Sequence, residues 1–488
     1  MLNHYETIIV GGGPAGLMAA LAASEAWSRT RIRTKPETVV MHANPSAKPS
    51  ANPSLNPSAN PSTNPSTNPS ANQPQRILVI EKGPRPGRKL LATGTGQCNI
   101  THSGDISDFP GHYNGGDKPP GNPDSQGQRA AGSAGHFLRP ALYGFDNVAI
   151  QAWLSTRGVP CTVRDDGKVF PVSGKAADVL AALLQAAKTL DLPVFSNRRV
   201  ESITWNRNHP GKPFTVFTPD ATWEASTVVI AAGGHCYPAL GSDGDAWRLA
   251  AGLGHAITEP GPALTPLYAG SFKYGACAGI SLPERGFEIR RGSHLVARGF
   301  GDILITHNGL SGPGILDASR WMRPGDDIII PFGDFKTSDA ADRTLIDAIR
   351  TKPAKLVRTI LAEYLPARLA GQLLVQAGVD AGIRAAQLTR VARQRLARGL
   401  SGEPIKIARL GDLDEAMASR GGIALNEVDS RTMMSRLVPG LFFAGEALDI
   451  DGDSGGYNLQ AAFATGRLAG LSVVEFLAAE SHIRESGP

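Results

Sequence analysis

The sequence predicts an α/β chain: one domain on a mainly parallel sheet, carrying a small β-rich unit and a helical unit as insertions. Three observations predict it. Near the N-terminus an apolar strand runs through a glycine-rich turn into an alanine-rich helix, TIIVGGGPAGLMAALAASE, Thr7 to Glu25. Near the C-terminus a second short apolar strand, Leu441 to Ala444, meets Gly445-Glu446 and is followed by a long helical segment. Between these ends, residues 259–336 alternate β-like runs with Gly and Pro, and residues 338–400 carry apolar side chains at i, i+3, i+4 spacing, divided by Pro353 and Pro366. A chain of 488 residues has room for two or three such units.

The first element is the most specific. Ile8, Ile9 and Val10 form a buried strand, and Gly11-Gly12-Gly13-Pro14-Ala15-Gly16 is a GxGxxG turn with a strand before it and a helix after it. Gly11 permits the tight turn, Gly13 lets backbone approach a pyrophosphate, and Gly16 lets the helix pack on the strand. The helix N-terminus adds free N–H groups and a positive dipole end, with Pro14 and Ala15 at its start. This Rossmann fingerprint also requires an acidic residue closing the next strand, to hold a ribose about 20 residues on. RILVIEKG, Arg76 to Gly83, supplies that strand and Glu81, but about 65 residues after Gly16.

An insert accounts for the excess. Asn44 to Ala71 is seven tetrads of the form (N/K)-P-S-(A/L/T). Proline at every fourth place forbids a helix or a central strand, and few apolar side chains leave no core. A disordered, low-complexity insert over 27–75 is expected, with no part in the chemistry. A second polar loop, 111–133, reads NGGDKPPGNPDSQGQ over part of its length.

Composition narrows the partners. Forty-nine Lys+Arg against 44 Asp+Glu leave only +5, with no dense basic run and no basic–aromatic ladder, so no nucleic acid is expected. Cys98, Cys161, Cys236 and Cys277 form no CxxC and no metal-ligand spacing, so neither a dithiol centre nor a metal is expected. Few cysteines suit a reducing, cytoplasmic setting. TIIV breaks at three glycines, which marks a strand and not a signal peptide. No run of about 18 apolar residues is seen, so no membrane partner is expected. Oligomeric state is open.

Five further stretches follow in order: KGPRPGRKLLATGTGQCNITHS (Lys82 to Ser103), GKVFPVSGKAADVLAALL (Gly167 to Leu184), VVIAAGGHCYPALGSDGDAWRLAAGLGHAI (Val228 to Ile257), ITHNGLSGPGIL (Ile305 to Leu316) and GLFFAGEALDIDGDSGGYNLQAAFATGRLAG (Gly440 to Gly470). With both inserts set aside, these resemble the BaiN-like, aminoacetone-oxidase-like FAD-dependent oxidoreductases over nearly the whole chain. The resemblance implies a glutathione-reductase-like, Rossmann-type FAD-binding domain. We assign it to 1–258 plus 421–488, the β-rich domain to 259–336 plus 401–420, and the helical subdomain to 337–400. The chain departs from the family at Gln97, where relatives carry an arginine.

Several residues are expected at the cofactor beyond the first turn and Glu81. Lys82 is one of them, and Arg88 and Lys89 could neutralise the pyrophosphate or meet the ring's polar edge. Gly94 and Gly96 offer bare backbone to a flat isoalloxazine, with Cys98 and Asn99 beside it. Ala232 and Gly233 end a buried strand with little bulk. The resemblance implies that Glu446, after Gly445, holds the ribityl chain. The helix N-terminus near Gly455, Gly456, Tyr457, Asn458 and Leu459 would point at the flavin N1–C2=O edge, where negative charge collects on reduction. Asp449, Asp451 and Asp453 alternate like a calcium loop, but the Gly and Glu that such a loop needs do not follow. Catalytic residues are not identified; His235, Tyr237, His307, Tyr457 and Cys98 are candidates.

A second strand–GxGxxG–helix unit is absent from the sequence, which argues against a two-nucleotide-domain disulfide reductase. NAD(P)H would then act as a transient donor at the flavin face. The expected reaction is two-electron hydride transfer through flavin N5, between NAD(P)H or an amine and a small organic substrate or O₂. Reductase and oxidase stay open. The alternatives are a flavin-binding redox sensor or interaction protein, and a tRNA-modifying flavoenzyme.

Overall fold

Four parallel strands end at one level, and that edge organises the molecule. In the computed structural model, which describes residues 3–33, 76–117, 121, 130–209 and 211–486, Val10 pairs with Ile80 and with Ile230, and Ile230 with Phe443. Their strands are Asn3–Val10, Ile77–Ile80, Ala221–Ile230 and Leu441–Phe443. Val194–Phe195 extends the sheet on one side, and the antiparallel Phe214–Thr218 and Ser202–Trp205 on the other. The run Ile77–Ile80 is wholly buried, as strands covered on both faces must be. The repeat Asn44 to Ala71 lies outside the described residues.

Helix Pro14–Arg33 and the C-terminal helix Tyr457–Ser486 pack together on one face of this sheet. Their closeness depends on glycine: a Cβ at Gly466 would lie 2.2 Å from Ala15 O, and one at Gly470 2.2 Å from Ala19 O. Nothing larger fits at either crossing. The first helix runs through Arg33, so 27–33 is helical and not the start of a disordered insert. The other expected loop is also shorter, because Tyr113–Asn114 pairs as a strand with Asp451–Gly452.

The C-terminal helix bears on the membrane expectation. Tyr457–His482 is long and apolar enough to cross a membrane, with mean hydropathy 1.3. However, 61% of that apolar window is buried inside the protein. Its apolarity has an internal explanation: the helix packs between the first helix and Ser133–Gly144. The sequence count missed it because glycines and single polar residues break the apolar run, whereas its average stays high.

A second hydrophobic core lies elsewhere. Six strands close into a barrel in the order Leu267–Ala269, Gly309–Ser311, His294–Ile305, Ser281–Arg291, Asp327–Ile330 and Glu403–Leu410. Closure leaves no open sheet edge. Helices Ser338–Thr351, Val357–Leu361, Ala367–Ala377 and Arg390–Gly402 add their apolar faces to that core, with Pro366 capping the third. A two-stranded antiparallel ribbon, Ile257–Ala263 with Ala418–Ile423, joins the two cores.

Candidate functional site

A cleft of about 1070 Å³ opens above the common strand edge. The loops leaving the four strands bring Gly11, Gly13, Pro14 and Ala15, then Glu81, then Ala232 and Gly233, then Gly445 and Glu446 to its walls. Arg88 and Lys89 on the short helix Arg88–Ala92 face it, as do Asn458 and Leu459 at the start of the C-terminal helix. Two helix N-termini therefore converge on one cleft, each a source of free N–H groups. A smaller hollow shares Gly11, Glu81, Ala232 and Gly241 with the cleft and extends it toward Lys82 and Arg198.

The glycines of the first turn divide by role. Gly11 has φ +112°, and a Cβ there would meet Ala231 O at 2.4 Å. A Cβ at Gly16 would lie 1.9 Å from Gly11 O. Both are packing requirements. At Gly13 a Cβ would meet nothing within 4 Å, so bare backbone is presented to the cleft itself. Glu81 is fixed beside it, accepting from Gly12 N at 2.8 Å and Gly83 N at 2.6 Å. Ser242 also lines the cleft; it is buried, and its Oγ has no partner among the described residues. An open backbone cradle, a held carboxylate and an orphan hydroxyl suit the phosphates and sugars of a dinucleotide.

Charged residues are held by one another. Lys89 Nζ donates to Glu446 Oε2 at 2.7 Å, and Glu446 Oε1 accepts from Ser419 N at 2.9 Å. Arg88 donates to Ala239 O at 2.8 Å. Lys82, expected at the cofactor, does not line the main cleft; it pairs with Asp243 and Asp245. Burial works against the Asp245 carboxylate, but hydrogen bonds from Arg199, Arg248 and Lys82 outweigh it and hold its pKa at about 2. Asn458 clasps Gly452, donating to its carbonyl and accepting from its N–H, both at 2.8 Å.

Other expected cofactor residues lie outside the cleft walls. Gly94 and Gly96 shape a left-handed turn, at φ +55° and +88°. Cys98 is fully buried, and burial pushes its thiol up to about 12, so it holds no thiolate near neutrality. Asn99, with its amide oriented to satisfy both ends, bridges Thr101 O, Val169 O and Gly456 N. Gly455 packs on the Tyr457 ring, and Gly456 passes against Thr101, where a Cβ would be 2.6 Å from its carbonyl. Gln97 meets the guanidinium of Arg164, so a cation stands beside it.

None of the five catalytic candidates lines the cleft. Besides Cys98, Tyr457 is buried between His102 and His112, with ring centroids at 5.5 and 4.3 Å. His235 lies edge-on to Trp247. Tyr237 adopts φ +60° beside it, and His307 is exposed on a turn of the barrel. The three aspartates are buried and engaged: Asp449 accepts from Gly116 N, Asp451 pairs with Arg320, and Asp453 pairs with His112. Sequence reasoning missed Tyr113, Ser242 and Met417 as cleft residues. Ser242 carried a signal, the Gly-Ser-Asp-Gly turn after a nucleotide-type strand; Tyr113 and Met417 carried none.

Comparison with known proteins bears on this arrangement. The chain is 26% identical, over 82% of its length and 93% of the relative's, to the 3-dehydro-bile acid delta(4,6)-reductase of Clostridium scindens. It is 25% identical, over 81% of its length and 92% of the relative's, to the ribosomal RNA dihydrouridine synthase of Haemophilus influenzae. Among solved structures it aligns with the 3-ketosteroid-delta4-(5alpha)-dehydrogenase of Rhodococcus jostii RHA1 at a TM-score of 0.42. That match is 14% identical and covers 96% of this chain and 97% of that one, a likeness too loose to bear on function. The model of the HI0933-like protein Rossmann domain matches residues 122–472, well over half of the chain. The chain belongs to this HI0933-like Rossmann family and is an FAD-dependent oxidoreductase.

Proposed function

We propose that this protein is a reductase that saturates a carbon–carbon double bond conjugated to a carbonyl. One observation carries the reading. Two of the curated relatives, those described above, are named for very different substrates, yet both names describe the same bond change. A 3-dehydro bile acid with 4,6 unsaturation and a uracil ring both present a double bond next to a carbonyl.

In this reading residues 1–258 with 421–488 hold FAD, and the barrel with its helices covers the substrate end. Gly13, Pro14 and Ala15 receive the pyrophosphate, Glu81 a ribose, and Ser242 a further cofactor oxygen. Lys89 and Glu446 hold the ribityl side. The N-terminus at Asn458 and Leu459 stabilises negative charge that develops in the ring on reduction, which favours reductive chemistry. Bound FAD supplies the two-electron hydride chemistry. NAD(P)H as donor and a cytoplasmic setting belong to the same reading; the four free cysteines support a reducing compartment.

The test is reoxidation. Purified protein, reduced anaerobically with dithionite, is mixed with a 3-keto-4,6-diene steroid or a uridine oligonucleotide. Recovery of the oxidised flavin spectrum with formation of the saturated product is expected from one of them. Reoxidation by O₂ alone, with bleaching by amines, would instead identify an oxidase. A parallel mixing with NADPH tests the donor separately.

A further inference from the structure

A second hollow, about 920 Å³, backs onto the wall of the cleft. Neighbouring residues of the same segments face opposite sides: Tyr113 and Ile450 line the cleft, Asn114 and Asp449 the hollow. Ala418 lines the cleft and Arg420 the hollow. Four arginines converge there, Arg291, Arg320, Arg323 and Arg420, with Trp321 among them.

Two of these cations are committed. Arg291 donates to Asp326 at 2.8 and 3.0 Å, and Arg320 pairs with the buried Asp451. Arg323 and Arg420 have no ion pair among the described residues, although both line the hollow. Each is nevertheless positioned. Arg323 N donates to Asp326 Oδ2 at 2.9 Å, which fixes its turn. Arg420 lies across the bulged ribbon over Gly261, where a Cβ would be 2.5 Å from its Nε. Of the acids in the hollow, Asp449 is engaged by Gly116 N at 2.9 Å, and Glu259 stands exposed on the rim.

We propose that this hollow binds the phosphates of a nucleotide ligand, with Arg323 and Arg420 on phosphate oxygens. Arginine suits this role because its planar fork binds phosphate oxygens in pairs. The wall shared with the cleft places such a ligand beside the covered substrate end. Two sources carry this chemistry, a nicotinamide dinucleotide or an RNA strand. The inference does not depend on which bond the cleft reduces.

Binding of two probes to the FAD-loaded protein tests it: a fluorophore-labelled single-stranded uridine oligonucleotide, by anisotropy, and NADPH, by calorimetry. The variants are Arg323→Ala alone, at an exposed side chain, and Arg323→Ala with Arg420→Ala. Binding of at least one probe is expected at low salt, weakened about tenfold or more in the double variant. For the oligonucleotide, losing two phosphate contacts should also flatten the slope of log K against log salt by about 1.4. Oligonucleotide binding that NADPH does not compete away assigns an RNA strand; NADPH binding lost in the variants assigns a dinucleotide. Failure of both probes to bind, or equal binding by wild type and double variant, overturns the proposal. Flavin content and reoxidation by the steroid dienone should match wild type in both variants, so a failure here leaves the reductase reading standing.

Discussion

The cleft and the hollow share a wall but are built from different materials. The cleft is mostly backbone: glycine turns, strand ends and two helix N-termini, with Glu81 held by two N–H groups. The hollow is mostly side chain, four guanidinium groups brought from the barrel and the ribbon. A backbone site is all or none, because its shape is the fold's shape. A side-chain site can be adjusted one residue at a time without touching the fold.

The largest expected effect tests the first half of that contrast. Gly16→Val puts a side chain where Gly11 O already lies, at 1.9 Å from the first added carbon. Backbone cannot yield as a flexible side chain does, so the cost should exceed about 3 kcal/mol, the usual upper range for overpacking. Soluble yield and Tm read it. Gly13→Val comes next and separates binding from folding. It should lose FAD while its Tm stays within about 2 °C of flavin-free wild type, since a surface change is worth about half a kcal/mol. Equal behaviour of the two valine variants would break the distinction between packing and cradle glycines.

The wall itself gives a smaller, pH-dependent effect. Burial raises the Asp451 carboxyl to about 7, partly offset by Arg320. The folded state therefore holds this proton more tightly than the unfolded chain. Its stabilising contribution is full below about pH 4 and declines as pH rises toward 7. Asp451→Asn should flatten that decline, read as urea midpoints at pH 5 and pH 7.5. Arg320→Met should steepen it, costing about 3 kcal/mol at pH 8 by leaving a buried charge unpaired, and less at pH 5. The smallest effect is expected from deleting Asn44 to Ala71. Ile77 pairs with Thr7, away from the cleft edge marked by Val10 and Ile80, so the chain re-enters the sheet at the end opposite the cleft. FAD content and turnover should be unchanged.

Legibility in the sequence follows the same contrast. Gly11, Gly13, Gly16 and Glu81 were readable because a short motif builds local backbone, once the repeat is recognised as an insert. Gly445, Glu446 and Asn458 were readable for the same reason. Lys82 and Cys98 do not line the main cleft, because adjacency in sequence to a cleft residue does not fix which way a side chain turns. Lys82 turns to two aspartates, and Cys98 turns into the core. Tyr113 was hidden inside what read as a polar loop, and its strand exists only by pairing with Asp451–Gly452. The four arginines of the hollow were invisible as a cluster, since a charge count sees runs and not convergence in space.

The crossing of the first and last helices has a consequence for how the chain is made. Ala15 and Ala19 emerge from the ribosome long before Gly466 and Gly470, the residues they pack against. The strand Leu441–Phe443, which completes the parallel edge, is also late. At cellular elongation rates the gap is on the order of 20 to 90 s. Through that interval the first helix has no partner for its small-residue face, whereas the barrel and its helices have all their residues once Leu410 is made, before the last helix begins. The inserted unit can therefore fold before the domain that encloses it. A truncation that removes Tyr457–Ser486 would leave the sheet made before it unable to close.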